Sequence, residues 1–215
     1  MNFTTKLFSA AAVLALTSAA YAAPIVTLGG TAIAGQGLTT SLAGMAVIDF
    51  NGGALPSGVT VTAASTNYVT GNLVNIYAAP PSDSSQYLAV GPTTGSPVTI
   101  TYAAGADYIG FYASSLDAYN TIRLVSGTTT VTYTGSQLAA FAGIPADGNQ
   151  TLGYYFNITD VGNIFTSVIL ESSVQALELD NFAIGRRAEV PLPGSLALVL
   201  GAMGAGLVLS RKKQK

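Results

Sequence analysis

Short runs of alternating polar and apolar residues, separated by turn signals, constrain the fold of this chain most strongly. Period-two alternation is typical of β-strands that bury one face. Runs of this kind, rich in Thr and Val, cover residues 59–62, 98–102, 130–134 and 165–170. Turn-forming Gly, Pro, Asn and Asp residues lie between them. The pattern predicts an all-β fold, an antiparallel β-sandwich or jelly roll, with one short helix at 136–142.

Missing residue types exclude several classes of function. The chain has no Cys and no His, which excludes disulfides, thiol catalysis, His-dependent catalytic triads and His-ligated zinc. All ten acidic residues lie in the segment 24–189, where Arg123, Arg186 and Arg187 are the only basic residues, so this segment carries a net charge of −7. Nucleic-acid binding requires a basic patch, and we therefore expect no nucleic-acid partner.

The N-terminus, residues 1–22, has the pattern of a secretory signal peptide. Lys6 provides the positive charge, and residues 7–16 form the apolar segment. Ala20-Tyr21-Ala22 fits the small-x-small cleavage rule, which makes Ala23 the expected first mature residue. We expect the protein to be exported, with one ectodomain over residues 23–188.

The C-terminal segment, residues 189–215, contains three parts in a fixed order. A Pro-bounded motif is followed by an apolar run at 196–210, which predicts a single transmembrane helix, and then by a basic end. The apolar run is short, because a bilayer core of roughly 30 Å requires about 20 helical residues. Basic residues stay on the cytoplasmic side, which orients the ectodomain outward. The motif is Val190, Pro191, Leu192, Pro193, Gly194 and Ser195; the basic end is Arg211, Lys212, Lys213 and Lys215.

This tripartite tail resembles the PEP-CTERM sorting signal of Gram-negative bacteria, and more closely its VPLPA variant. Leu192 stands where the commonest pattern has Glu, and Gly194 where the variant has Ala. The resemblance implies an exosortase-type membrane protease as partner. The precursor would be anchored in the inner membrane, cut near the Pro motif, and passed to the cell surface or the extracellular matrix. A plain membrane anchor is the simpler alternative.

The most distinctive stretch of the predicted ectodomain is 108–120. With its flanks, from Tyr87 to Gly185, it resembles a family of exosortase-dependent surface proteins with a YFG-x-Y-x-S-x-D-x-YN core, a family without an established activity. Tyr108 and Tyr112 would point outward if Ile109 and Phe111 fill the core, leaving an exposed pair of rings suited to stacking on sugars. Candidate ligand-binding residues are Tyr108, Tyr112, Asp117, Tyr119 and Asn120. The structural alternative is that the tyrosines are strand residues and that Asp117 and Asn120 stabilise a turn.

The last predicted strand, 176–185, is a second candidate site. It is similar to the closing strand of PEP-CTERM ectodomains and of jelly-roll carbohydrate-binding modules. Its apolar pattern changes face near Asp180 and Asn181, which predicts a β-bulge. The oxygen atoms of these two residues are suitable calcium ligands, although no Asp-rich calcium loop is present; we expect no other cofactor.

Two functions remain in view. The first is a non-enzymatic component of the cell surface or extracellular matrix, which exosortase processes at its tail. The second is a jelly-roll module that binds extracellular polysaccharide. Catalysis would need two carboxylates facing each other across a groove, and the sequence pairs none of them, so we expect no enzyme. The lack of Trp favours the first function.

Overall fold

The computed structural model describes residues 23–160 and 162–187. These residues form fourteen strands, one α-helix and a short 3-10 helix at Ser65–Asn67. The strands are β1 (Ile25–Leu28), β2 (Thr31–Ile33), β3 (Gly37–Thr39), β4 (Ala46–Ile48), β5 (Val59–Thr62), β6 (Tyr68–Thr70), β7 (Gln86–Val90), β8 (Val98–Ala106), β9 (Tyr108–Ser114), β10 (Asn120–Ser126), β11 (Thr129–Thr134), β12 (Gly153–Thr159), β13 (Phe165–Ser172) and β14 (Leu177–Gly185). The helix α1 is Gly135–Ala142, between β11 and β12.

All strand pairs are antiparallel, which confirms the predicted all-β class. A seven-stranded sheet has the order β1-β12-β9-β14-β7-β6, and β4 also pairs with β14. We call this sheet the large sheet. A five-stranded sheet, the small sheet, has the order β11-β10-β13-β8-β5, and β2 pairs with β3 in a separate ribbon. All four runs of alternating residues lie in strands of the small sheet, at β5, β8, β11 and β13.

One hydrophobic core joins the two sheets. Ile109 and Phe111 of the large sheet belong to the same buried cluster as Ile122 and Val168 of the small sheet. Alternation explains this arrangement, because every second side chain of a strand points to the same face. The prediction that Ile109 and Phe111 fill the core is confirmed.

The predicted helix is also confirmed, and its ends follow from its sequence. Thr134 accepts a hydrogen bond from the Gln137 backbone N–H, while the Gln137 side chain accepts one from the Thr134 N–H. This reciprocal pair is a capping box. Gly143 ends the helix in the left-handed conformation, with φ of 69°, which glycine adopts without strain.

The predicted bulge in β14 is present. The register between β14 and β9 shifts between Asp180 and Ala183, and Asn181 has φ of 49°. The extra residue lets Leu177 and Leu179 before the shift and Phe182 and Ile184 after it join a single core. Asp180 lies opposite Tyr112, on the other face of the sheet.

That other face of the large sheet is covered rather than open. Tyr108 and Tyr112 lie on it, as predicted, yet both are buried, with 0% and 3% exposure. The segment at 30–40 and the loop at 80–85 pack over them. This second buried layer includes polar side chains, among them Asp83, Asp180 and Asn181.

Part of the chain falls outside the described residues. The predicted signal peptide (1–22), the sorting motif (190–195), the transmembrane helix (196–210) and the basic end (211–215) all lie there. In the described ranges, no helix is long and apolar enough to cross a membrane.

Candidate functional site: a cleft beside Asp117 and Glu178

The expectation of an exposed pair of rings at Tyr108 and Tyr112 is wrong. The hydroxyl of Tyr108 lies 2.8 Å from Thr40 Oγ1 and donates to Asn157 Oδ1 at 2.7 Å. The hydroxyl of Tyr112 donates to the carbonyl of Pro81 at 2.7 Å. The two hydroxyl groups therefore connect the covering segments to the large sheet through hydrogen bonds. The rings offer no face on which a sugar could stack.

Asp117 and Asn120 form the turn between β9 and β10. Asn120 Oδ1 accepts from the Asp117 backbone N–H at 2.7 Å, and the Asn120 N–H donates to the Asp117 carbonyl at 3.0 Å. Asn120 is fully buried, and its amide group donates to Ser172 Oγ at 3.0 Å. These contacts support the interpretation that Asn120 stabilises the turn and does not bind a ligand.

Tyr119 orients the carboxyl group of Asp117. Its hydroxyl lies 2.7 Å from Asp117 Oδ2 and 2.8 Å from the carbonyl of Gln175. Burial raises the pKa of Asp117, the neighbouring Asp147 raises it further, and the hydrogen bond from Tyr119 opposes the rise. Within the described residues, Asp117 Oδ1 accepts no hydrogen bond, so this oxygen is available to a ligand.

Glu178 is the functional group that the sequence analysis did not single out. It is 1% exposed; Oε1 accepts from the Ala78 N–H at 3.0 Å, and Oε2 accepts from Ser115 Oγ at 2.5 Å. Burial, the largest cause, raises its pKa to about 7. The available signal was its position between Leu177 and Leu179, which places a carboxylate on the outer face of the final strand.

Asp117, Ser115 and Glu178 line one cleft with a volume of about 490 Å³. We call it the Asp117 cleft. Its walls come from three loops, at 72–77, 148–150 and 174–176. The cleft combines carboxylates, carboxamides and exposed apolar side chains. Two carboxylates that the sequence could not pair therefore lie at one site, although both oxygens of Glu178 are already hydrogen-bonded.

No protein-family model, curated protein or solved structure matches this chain. The residues of the chain and their geometry are therefore the basis for any functional proposal.

In β14, Asp180 and Asn181 make contacts within the fold. Asn181 donates its side-chain amide to the carbonyl of Gln36 at 2.6 Å. Asp180 lies beside Asp83, and burial together with that carboxyl raises the pKa of Asp180 to about 8. Among the described residues, no group of three or more His, Cys, Asp or Glu side chains could hold a metal ion. The residues present do not fit calcium, and we assign none here.

A second cavity, of about 400 Å³, lies beside β4 and β6. Phe50 and Tyr68 line it, together with the loop at 52–56. It contains none of the residues that the sequence analysis proposed. It provides matched control positions for experiments on the Asp117 cleft.

Proposed function

We propose that this chain is an exported, non-enzymatic protein of the cell surface or extracellular matrix. The observation that carries the proposal is the arrangement of the folded region between two terminal signals. The strands run from Ile25 to Gly185. The predicted cleavage site at Ala22 precedes them, and the motif beginning at Val190 follows them. One core with two sheets supports a β-sandwich ectodomain of jelly-roll type.

The C-terminal tail supplies the sorting step. Its order of Pro motif, apolar run and basic end resembles an exosortase substrate, with 196–210 as the membrane-spanning helix. The precursor is held in the inner membrane until an exosortase-type protease cuts near the Pro motif. The ectodomain is then released to the cell surface or beyond it.

The chemistry of the ectodomain agrees with a non-enzymatic role. Glu178 is buried, and both of its oxygens accept hydrogen bonds from the fold. A general acid or nucleophile must reach its substrate, whereas Glu178 holds two loops together. Glu178 therefore shapes the cleft and does not react in it.

Cell fractionation tests the sorting proposal. In the native host, replacing Pro191 and Pro193 with Ala, or Arg211, Lys212 and Lys213 with Gln, should leave the protein in the inner membrane. The matched control is Pro145→Ala, an exposed proline of the ectodomain, which should be sorted normally. Normal release of both tail variants would contradict the proposal.

A second candidate function is polysaccharide binding by the ectodomain. The observation that favours it is the Asp117 cleft, where polar and apolar side chains meet in a concave surface. Sites for small ligands have this mixed lining. Surface display and polysaccharide binding are compatible, since a matrix protein contacts the polymers around it.

A further inference from the structure

We propose that the Asp117 cleft binds an uncharged polysaccharide and discriminates against polyuronates. This inference rests on the second candidate function and specifies its ligand. It follows from three features of the cleft: its carboxamides, its apolar rim and its uncompensated negative charge. Each feature is independent of the tail.

Carboxamide groups surround the opening of the cleft. Asn72, Asn75 and Gln150 line it and are exposed. A carboxamide offers both donors and an acceptor, which matches sugar hydroxyls, since each of these also donates and accepts. Asp117 Oδ1, which accepts no hydrogen bond among the described residues, adds an acceptor to the lining of the cleft. Vicinal hydroxyls of a pyranose ring could thus be bound from several sides.

Three apolar side chains form the rim of the same cleft. Leu73, Val74 and Val174 line it, with exposures of 49%, 82% and 49%. Apolar side chains grouped around a concave polar surface are typical of interaction sites. The C–H face of a sugar ring can cover such a rim while its hydroxyls reach the carboxamides.

Charge determines which polysaccharide fits. Asp117 and Glu178 line the cleft, and no lysine or arginine among the described residues does so. The arginines of the described domain contact groups elsewhere: Arg123 pairs with Glu171 at 2.6 Å, Arg187 lies 3.9 Å from Asp107, and Arg186 donates to the carbonyl of Gly105. A uronate carboxylate entering the cleft would meet the negative charge of Asp117 and no compensating lysine or arginine among the described lining residues. A neutral sugar meets no such repulsion.

The floor of the cleft is fixed before any ligand arrives. Glu178 joins the 72–78 loop to the turn after β9 through Ala78 and Ser115. Tyr119 joins Asp117 to the 174–176 loop through the Gln175 carbonyl. Binding to a preorganised site loses less conformational entropy. Glu178 and Tyr119 position the cleft walls, whereas Asp117 Oδ1 and the exposed groups would contact the sugar.

Affinity electrophoresis of the full chain, purified in mild detergent, tests the inference. The neutral probes are hydroxyethylcellulose, soluble starch and galactomannan, and the polyuronate probe is alginate. We expect at least one neutral polymer to retard the protein and alginate to leave it unretarded. Val74→Ser and Gln150→Ala should each weaken the retardation roughly three- to tenfold. Leu55→Ser, at the second cavity and 43% exposed, should have no effect.

Several results would overturn the inference. Retardation by alginate equal to that by a neutral polymer would remove the charge argument. If both Val74→Ser and Gln150→Ala leave the retardation unchanged, the polysaccharide binds outside the Asp117 cleft. If none of the neutral polymers retards the protein, the proposal that the cleft binds a neutral polysaccharide is refuted. In each case, normal sorting of the protein in its host would leave the surface role standing, so the two failures are distinguishable.

Discussion

At the scale of single residues, Asp83 and Asp180 form a buried pair of neighbouring acidic side chains. Asp180 is fully buried, and its Oδ1 has no hydrogen-bond partner among the described residues; the same holds for Asp83 Oδ2. The other oxygen of each carboxyl group contacts Ser85. Two carboxylates in a buried site cannot both be ionised without a large cost. We therefore expect Asp180 to hold a proton in the folded state.

The proton on Asp180 makes stability depend on pH. The pKa of Asp180 is raised to about 8, whereas an unfolded Asp titrates near pH ~4. Between these two pKa values the folded state holds a proton that the unfolded state has released, so the contribution of Asp180 to stability is largest at low pH and decreases as pH rises toward 8. The slope is at most about 1.4 kcal/mol per pH unit for one proton.

The Asp180→Asn variant tests whether stability decreases as pH rises. An asparagine cannot ionise, and its amide can donate to Asp83. We expect the variant to melt at a higher temperature than the wild type at pH 8, with the difference shrinking toward pH 5. Glu178, whose pKa is raised to about 7, leaves the variant a residual slope below that pH. Thermal unfolding from pH 5 to 9 measures this, with the exposed Asp147→Asn as control. A variant less stable than wild type at pH 8 would refute the protonation of Asp180 in the folded state.

Glu178 supports a second prediction at the residue scale. Glu178→Ala leaves the Ala78 N–H and the Ser115 hydroxyl without a partner, which should cost about 2–4 kcal/mol. Hydrogen exchange should show the loss first at the amide of Ala78. The matched control is Glu171→Ala, which removes a partly exposed ion pair with Arg123 and should cost less than about 1 kcal/mol. Equal losses in the two variants would argue against Glu178 as the anchor of the loop.

At the scale of elements, the ribbon of β2 and β3 covers the outer face of the large sheet through a close contact at Gly37. Gly37 has φ of +68°, and a Cβ placed there would lie 2.1 Å from Cε1 of Tyr112. Only glycine permits both the conformation and the approach. We expect Gly37→Ala to destabilise the protein by more than about 2 kcal/mol.

Gly53→Ala is the matched control for that prediction. Gly53 does not have a positive φ, and an added Cβ there meets no atom within 4 Å. Its substitution should change the free energy of unfolding by less than about 0.5 kcal/mol. Chemical denaturation of both variants gives the comparison. A Gly37→Ala protein as stable as Gly53→Ala would mean that the ribbon does not pack on Tyr112 as described.

Much of this element structure followed from local pattern. Alternation predicted strands in the small sheet, and the change of face at Asp180 predicted the bulge in β14. The burial of Tyr108 and Tyr112 could not be predicted in this way. Alternation assigns a residue to a face of the sheet, but whether that face is covered depends on segments such as 30–40, which are distant in sequence. The sequence analysis therefore assigned Tyr108 and Tyr112 to the correct face of the sheet but predicted the wrong exposure for them.

At the scale of the whole molecule, the Asp117 cleft could not be predicted from local sequence pattern either. Asp117, in the turn after β9, and Glu178, in the last strand, line one cavity because β9 and β14 are neighbours in the large sheet. The order of strands in a sheet is not encoded in any local pattern. The terminal signals are different, since each is a contiguous motif. Export and sorting could therefore be proposed from sequence alone, whereas the cleft required the fold.

The central claim, that this chain is an exported and tail-processed surface protein, is tested most directly by mass spectrometry. The measurement is the intact mass and the two terminal sequences of the protein recovered from the envelope and medium of its native host. We predict a product that begins near Ala23 and ends near Pro193. A product that still ends at Lys215 would contradict processing of the tail, and one that still begins at Met1 would contradict removal of a signal peptide.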